Sequence, residues 1–169
     1  MNIRIHDNET TTEKRKSGRP PEILKNEIRF ELPSLSVNEG IARALVSIFI
    51  SQLDPTVEES SDIKCAVSEA VTNCIVHGYK DTVGMIYITV KIQNERTVRI
   101  EIRDKGCGMN NVKAAMEPLF TTDPDGERSG MGFTVMQSFT DKLSVISRPG
   151  HGTKVTMIKE ISDSYYNKL

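Results

Sequence analysis

Apolar residues recur with two different periods along this chain, and the change of period predicts the order of its elements. A period of two predicts strands, as in residues 27–32, where Ile28, Phe30 and Leu32 share one side and Pro33 ends the run. The predicted strands are residues 27–32, 86–92, 98–103, 143–147 and 153–160. The second and third follow each other closely, so we expect an antiparallel hairpin that ends at Asp104.

A helical period separates the first two strands. Ser36 and Glu39 have the spacing of a capping box and begin a first helix that continues to Leu53. Its predicted buried stripe comprises Val37, Ile41, Ala44, Leu45, Ile48 and Phe49. The predicted outward face comprises Glu39, Arg43 and Ser47.

A second, longer helix follows. Thr56 and Glu59 form another capping box, and Gly78 is the expected end of this helix. Its predicted apolar stripe comprises Ala66, Val67, Ala70, Val71, Cys74 and Ile75. Residues 112–116 and 132–140 predict two further helices, whereas residues 118–129 are too irregular to form an element and are interpreted as a movable loop.

Strands and helices are grouped rather than strictly alternating, which favours an α+β fold. We expect a two-layer sandwich in which helices pack on one face of a mixed, mostly antiparallel sheet. Residues 26–162 are predicted to form this single domain, between a flexible basic tail of residues 1–25 and a C-terminal tail of residues 163–169.

Composition narrows the classes of function. The chain has 169 residues, with 22 Lys plus Arg against 23 Asp plus Glu, so no global field favours nucleic acid or an anionic membrane. The longest apolar stretch, residues 44–50, is too short to cross a bilayer, and a cytoplasmic protein is expected. Three cysteines, of which Cys65 and Cys74 should face opposite sides of one helix, favour a reducing compartment.

The basic run at residues 14–21 offers a second interpretation. Gly18-Arg19-Pro20 with basic neighbours resembles a minor-groove hook, although short basic runs are more often solvated tails. DNA binding is therefore not expected.

Candidate chemistry lies at residues 68–79, S-E-A-V-T-N-C-I-V-H-G-Y. Glu69 and Asn73 are four residues apart, so their side chains should project from one helix face. An acid beside an amide suits a hydroxyl that must lose a proton near Mg²⁺, because the amide oxygen is a hard ligand. By itself the pair is also typical of a solvated helix face.

Two glycine-rich turns add to this pair. Residues 104–108, D-K-G-C-G, follow a strand, and an aspartate there can accept from an exocyclic amine, although such a turn often has no ligand. Residues 128–132, R-S-G-M-G, open a helix whose exposed amides could hold a triphosphate or serve only as a cap.

The order of these motifs resembles the GHKL superfamily of ATP-binding domains. Residues 69–73 match its asparagine box, residues 104–108 and 130–132 its two glycine boxes, and residues 150–153 its closing G-x-x-T. The motifs E-A-V-T-N, H-G-Y, P-L-F-T-T and E-R-S-G-M-G-F are more closely similar to the anti-sigma factor serine kinases, especially those of sporulation. The resemblance covers about residues 27–160.

The resemblance implies a site for ATP and Mg²⁺. Glu69 would be the catalytic base, Asn73 would hold the metal, Asp104 would bind the adenine amine and Thr153 would support it. His77, on the Glu69 face, is either a helix-end packing residue or a site contact. The implied nucleotide-binding residues are Thr72, Asn73, Asp104, Gly106, Gly108, Arg128, Ser129, Gly130, Met131, Gly132 and Thr153.

The same resemblance implies partners. The chain would bind and inhibit a sigma factor and phosphorylate a serine of an anti-anti-sigma factor, with Arg43 contacting both, and it would form a homodimer through the first strand and helix. No helical hairpin with a phosphoacceptor histidine is recognisable, so the acceptor is expected on another protein. The alternative is a module that uses ATP to sequester a sigma factor without kinase activity, and Glu69 distinguishes the two.

Overall fold

The computed structural model describes residues 4–5, 23–117 and 131–163. The strands are β1 Arg4–Ile5, β2 Leu24–Pro33, β3 Met85–Gln93, β4 Thr97–Arg103, β5 Lys142–Ser147 and β6 Thr153–Glu160. The α-helices are α1 Val37–Ile50, α2 Val57–Asn73, α3 Val112–Ala115 and α4 Gly132–Phe139. A 3₁₀ turn, Ser51–Leu53, follows α1, and a π-helix, Cys74–Tyr79, continues α2.

The strands form one six-stranded sheet in the order β1-β5-β6-β4-β3-β2. β1 pairs with β5 in parallel, and the other neighbours pair antiparallel. The β3–β4 hairpin places Asp104 directly after the last paired residue, Arg103. The predicted α+β fold on a mixed, mostly antiparallel sheet is confirmed. β1 lies within the segment predicted to be a tail, and the domain boundaries stay a prediction.

The core lies between the sheet and the helices α1, α2 and α4. Alternate residues of the strands point to the helices, as predicted, and Ile88, Val90 and Ile100 are almost fully buried. The predicted stripe of α2 is also confirmed, because Ala66, Val67, Ala70, Val71 and Cys74 are buried and Ile75 packs against the core.

The predicted buried stripe of α1 is wrong for most of its residues, although Phe49 packs against the core and Leu45 is half-buried. Ala42, Val46 and Ile50 are the buried residues of this helix. Val37, Ile41 and Ile48, which were predicted to be buried, are 77%, 48% and 70% exposed. The apolar side of α1 is broader than the face that meets the sheet, so the spacing of apolar residues did not identify the buried ones. The helix consequently presents an apolar outer surface to solvent.

One of the two predicted capping boxes is present. The Glu59 N–H donates to Thr56 Oγ1 at 3.1 Å and the Thr56 N–H donates to Glu59 Oε2 at 2.8 Å, as predicted. The Ser36 box is wrong, because Ser36 has α-helical backbone angles and its side chain makes no cap bond within the described part of the chain. An N-cap residue normally has extended angles, which direct its oxygen at the free amides.

Cys65 is exposed, Cys74 is buried and both are free, as expected from their spacing. In the described ranges, no helix combines the length and apolar character that a membrane span requires.

Candidate nucleotide site

The first part of the site lies where α2 meets the start of α4. A methyl group placed on Gly132 would lie 3.0 Å from Glu69 Oε2 and 3.4 Å from both the oxygen and the nitrogen of the Asn73 amide. Both side chains therefore project from one face of α2, as their spacing predicts. The absence of a side chain at Gly132, the first residue of α4, leaves the space in front of them open. The amides of that helix end carry partial positive charge beside an acid and an amide.

The helix changes its winding directly after Asn73. The π-helix Cys74–Tyr79 widens the turns and brings Gly78 against Asp104, where a methyl group on Gly78 would lie 3.0 Å from Asp104 Cγ. Short π segments within α-helices are frequent at functional sites. Here the segment joins the Glu69–Asn73 face to the turn that follows β4.

Asp104 forms the second part of the site. Its side chain is only 2% exposed, and Oδ1 accepts the backbone N–H groups of Gly106 at 2.8 Å and Thr153 at 3.2 Å. The backbone N–H of Asp104 in turn donates to the Thr153 carbonyl at 2.9 Å. Fixed bonds to one oxygen hold the carboxylate in a single orientation.

Burial changes the acidity of this region. Burial raises the pKa of Asp104 above its ordinary value, and the backbone N–H donors of Gly106 and Thr153 offset part of that rise. Burial also raises the pKa of the Cys74 thiol well above its ordinary value, and the neighbouring Asp104 carboxylate adds to the effect. Cys74 therefore stays protonated beside the Asp104 carboxylate.

The turn between β5 and β6 closes against residues 104–108. The Gly150 N–H donates to the Cys107 carbonyl at 2.7 Å, and Gly152 adopts a φ of +79° so close to Asp104 that a methyl group would lie 2.2 Å from the Asp104 carbonyl oxygen. Gly108 has a φ of +67° and lies equally close to the Arg148 carbonyl. Only glycine allows these backbone contacts.

The two parts are arranged along one continuous helical segment. Asp104 contacts it at Gly78, Asn73 lies five residues before Gly78, and Glu69 lies one α-helical turn before Asn73, about 6 Å along the axis at roughly 1.5 Å per residue. A buried hydrogen-bond acceptor, an amide and an acid thus follow each other in a line. In a nucleotide bound for phosphoryl transfer, the base, the phosphates and the group that attacks the terminal phosphate follow each other in the same order.

The residues fit a magnesium nucleotide by their chemistry. The Asn73 amide oxygen is a ligand type that Mg²⁺ accepts, and this ion keeps water and phosphate oxygens as its other ligands. In the described ranges, no group of three or more His, Cys, Asp or Glu residues could hold a metal ion. Asn73 would accordingly supply one ligand to an ion that the nucleotide itself carries.

The remaining predicted residues are described only in part. Arg128, Ser129, Gly130 and the loop at residues 118–129 are outside the described residues. Thr72 is half-buried beside Asn73, and the Met131 carbonyl accepts the Val135 N–H at 2.8 Å. His77 is exposed and its carbonyl accepts from the Cys107 thiol at 3.0 Å.

Arg43 lies apart from the nucleotide site, on the outer surface of α1. Its guanidinium is 3.7 Å from Glu39, and both side chains are partly exposed. A groove of about 330 Å³ opens beside it, lined by Gly40, Arg43, Ala44, Ser47, Ile48 and Lys64.

The sequence of this chain matches known proteins over most of its length. Residues 33–159 match the family described as histidine kinase-like ATPase domain. The anti-sigma F factor of Anoxybacillus flavithermus is 49% identical over 142 residues, which cover 83% of this chain and 97% of that protein. The anti-sigma F factor of Clostridium acetobutylicum is 49% identical over 140 residues with the same coverage.

This chain belongs to the anti-sigma F factor family. Membership of this family confirms the predicted resemblance to the sporulation anti-sigma factors. The match at residues 33–159 places the chain among the histidine kinase-like ATPase domains. A Mycobacterium tuberculosis protein with RsbU and RsbW domains has a similar fold, with a TM-score of 0.60 and 16% identity. The match covers 83% of this chain and 34% of that one.

Two residues of the site in this anti-sigma F factor family member, Tyr79 and Ser147, were not predicted from the sequence. Tyr79 contacts the turn that carries Asp104, and Ser147 lies 2.9 Å from Thr153 Oγ1 and accepts the Met109 N–H at 2.8 Å. The H-G-Y motif at residues 77–79 was a signal for the first. Ser147 had none, because a serine at the end of a strand is common.

Proposed function

We propose that this chain is an anti-sigma factor that binds and inhibits an RNA polymerase sigma factor, most specifically sigma F, and is also an ATP-dependent protein serine kinase. Its substrate is an anti-anti-sigma factor, which it inactivates by phosphorylation. The name of the relatives supports the sigma factor as a partner. The linear order of Asp104, Asn73 and Glu69 is the observation that supports the kinase.

Asp104 and Thr153 would bind the adenine. The Asp104 carboxylate accepts a hydrogen bond from the exocyclic amine, which guanine replaces with a carbonyl oxygen. Two backbone donors already bond to Oδ1, so Oδ2 would be the oxygen that accepts from the base. The Thr153 hydroxyl lies within hydrogen-bonding distance of Ser147 and is held beside the carboxylate.

Asn73 and Glu69 would serve the other end of the nucleotide. Asn73 would hold Mg²⁺, and the ion would neutralise charge on the phosphates. Glu69 accepts the proton of the incoming serine hydroxyl while the serine oxygen forms a bond to the terminal phosphorus. The bond from that phosphorus to its bridging oxygen breaks, and ADP leaves with phosphoserine as the second product. Transfer of this kind depends mainly on positioning and electrostatics, and a positioned base contributes roughly 100- to 10,000-fold.

The outer surface of α1 would serve the partners. Val37, Ile41 and Ile48 form an exposed apolar row, with Arg43 beside it as a directional charged contact. Homodimer formation through β2 and α1 and binding of the sigma factor would both use this part of the molecule. The chain is thus expected to separate nucleotide chemistry and partner binding onto different faces.

The deciding experiment replaces Glu69. The purified chain is mixed with Mg²⁺, radiolabelled ATP and the anti-anti-sigma factor, as Glu69→Gln, as Glu58→Gln and unmutated. Glu58 is an exposed acid on the same helix and provides the matched control. We expect Glu69→Gln to bind ATP and the sigma factor normally but to lose at least ~100-fold in serine phosphorylation.

Equal label on the partner from Glu69→Gln would remove its role as base. No label from the unmutated chain, with ATP and sigma factor still bound, would instead favour the sequestering module without kinase activity.

A second experiment tests the partner surface. Ile48→Asp places a charge in the apolar row, and Val83→Asp places one at a similarly exposed position in a loop, with exposed fractions of 70% and 66%. We expect only Ile48→Asp to weaken sigma factor binding or dimer formation, measured by light scattering and titration calorimetry. If neither variant loses sigma factor binding or dimer formation, the outer surface of α1 is excluded as the partner surface.

A further inference from the structure

The hydroxyl group of Tyr79 joins two segments that are distant in sequence. It donates to the Met85 carbonyl at the start of β3 at 2.5 Å, and it accepts the backbone N–H of Lys105 at 2.9 Å. Lys105 directly follows Asp104. The hydroxyl therefore ties the turn that carries the adenine-binding carboxylate to the end of a strand.

The aromatic ring is held as firmly as the hydroxyl. A methyl group placed on Gly84 would lie 2.0 Å from ring atom Cε1, so the ring lies directly on the glycine backbone. The Gly84 N–H and carbonyl are themselves bonded to Ser34 Oγ and the Ser34 N–H, at 2.9 and 2.8 Å. The ring consequently has little freedom to move away from the turn.

The hydroxyl also keeps its proton. Burial raises the pKa of Tyr79 above its ordinary value, and the nearby Asp104 carboxylate adds to that rise, although the Lys105 N–H opposes it. A neutral phenol can donate one hydrogen bond and accept another at once. The double contact seen here uses both capacities.

Tyr79 is needed because Asp104 fixes only part of its own turn. Asp104 Oδ1 accepts from Gly106, and the Cys107 N–H donates to the Gly78 carbonyl at 2.8 Å. The Lys105 amide between them has its hydrogen bond to Tyr79 and to no other group of the described chain. Without the hydroxyl, this amide would turn to find water and would carry the neighbouring carboxylate with it.

We infer that Tyr79 is a positioning residue for adenine recognition, acting through the Lys105 amide on Asp104. This rests on the proposed function, in which Asp104 binds the adenine of ATP. Tyr79 itself does not touch the nucleotide in this assignment. It sets the direction of the carboxylate and thereby the preference for adenine over guanine.

The test compares Tyr79→Phe with Tyr87→Phe and the unmutated chain. Tyr87 is a half-buried tyrosine on β3 whose hydroxyl makes no hydrogen bond within the described residues, so it controls for loss of a phenol. Affinities for ATP, GTP and inorganic triphosphate, each with Mg²⁺, are measured by titration calorimetry. We expect Tyr79→Phe to bind ATP about 3- to 10-fold more weakly and to lose the same factor in discrimination against GTP.

The affinity for inorganic triphosphate is the measurement that would change if Tyr79 only stabilised the fold. We expect its affinity to be the same in Tyr79→Phe and in the unmutated chain, because Asn73 and Gly132 lie at the other end of the site. Gly84→Ala, which must displace the ring, should reproduce the selective loss without removing the hydroxyl.

The outcomes separate the two claims. Unchanged discrimination against GTP in Tyr79→Phe, or an equal loss of triphosphate and ATP affinity, would overturn the role of Tyr79 alone. Failure of the unmutated chain to bind ATP, or equal affinity for ATP and GTP, would overturn the adenine site and the role of Tyr79 together.

Discussion

Asp104 shows how a single side chain can be costly for folding and useful for binding. Its carboxylate is buried against the π-helix and held by two backbone N–H groups, so its negative charge has lost most of its water. An incoming amine would supply a donor to the free oxygen at no further desolvation of the acid. The site is thus preorganised for a base that carries an amine.

The first prediction follows from that cost. Asp104→Asn should weaken ATP binding by about 1.5–3 kcal/mol, the worth of a hydrogen bond to a charged group, as measured by calorimetry. Asp81→Asn, in the loop after Tyr79, should bind ATP as the unmutated chain does. Equal affinity in all three proteins would exclude contact between Asp104 and the base.

The second prediction concerns pH and the nucleotide-free chain. Because the folded pKa of Asp104 is raised, the folded state binds more protons than the unfolded state between the unfolded value of about 3.9 and the folded value. The contribution of Asp104 to stability therefore falls as the pH rises through that window. Urea unfolding from pH 4 to pH 8 should show Asp104→Asn gaining stability relative to the unmutated chain, with a constant difference above the window.

Gly132 provides the third prediction. In Gly132→Ala the new methyl group would lie 3.0 Å from Glu69 Oε2, in the space proposed for the phosphates. Serine phosphorylation should fall at least ~10-fold, since misplacement by about 1 Å can cost roughly 100-fold. The free energy of unfolding should change by less than about 1 kcal/mol, because alanine is acceptable at the first position of a helix. Normal kinase activity would show that this space is not used.

The two long helices differ in how well the spacing of their apolar residues predicted their buried faces. The stripe of α2 was predicted correctly because polar residues occupy its other faces. The stripe of α1 was not, because Val37, Ile41 and Ile48 are apolar and exposed while Ala42, Val46 and Ile50 are buried. The apolar side of α1 is broad, and the sheet covers only one part of it, so spacing does not identify which apolar residues are buried.

The outer surface of α1 leads to the fourth prediction. Gly40 lies within this helix, and a methyl group placed on it would meet nothing within 4 Å. Gly40→Ala should therefore stabilise the chain by about 0.5–1 kcal/mol in urea unfolding, because glycine loses more backbone entropy in a helix. Ala44→Gly, at an exposed position one turn later, should lose a similar amount. A destabilised Gly40→Ala would mean that the helix is strained there.

The same variant reports on the partner surface. Gly40 lines the groove beside Arg43, so the added methyl group should narrow that groove and weaken sigma factor binding while the chain becomes more stable. A variant that is more stable and binds equally well would place the partner elsewhere on the molecule.

Arg96 connects parts of the chain that are far apart in sequence. Its guanidinium donates to the carbonyl groups of Leu53, at 2.8 Å, Ile161, at 3.0 Å, and Ser162. The turn of the β3–β4 hairpin thereby holds both the 3₁₀ turn that follows α1 and the segment after β6. Three carbonyl groups with one cationic donor form a fixed junction at the end opposite the Asp104 turn.

The fifth prediction tests this junction. Arg96→Ala should destabilise the chain by about 1.5–3 kcal/mol, because the carbonyl groups lose a charged donor. Arg99→Ala is the control: its side chain has a similar exposed fraction, 28% against 24%, but its partner is the Glu101 side chain, so a loss below about 1 kcal/mol is expected. Thermal unfolding gives both values, and ATP affinity should be unchanged in each. Equal losses would contradict the special role of the carbonyl junction.

Local patterns were sufficient for much of this protein. Alternation located β2 to β6, the Thr56–Glu59 box located the start of α2, and four-residue spacing placed Glu69 and Asn73 on one face, because each of these depends only on neighbouring residues. The roles of the site residues rested on the resemblance of ordered motifs to a known superfamily and stay proposals. Their arrangement in a line was not foreseen from spacing.

Contacts between distant segments needed the folded chain. The buried face of α1, the π-helix that brings Gly78 against Asp104, and the contact of Tyr79 with Lys105 all depend on which surfaces meet across the sheet. A sequence period records how residues repeat along one element, but it carries no information about which side of that element another segment covers. The packing of the helices on the sheet supplies that information here.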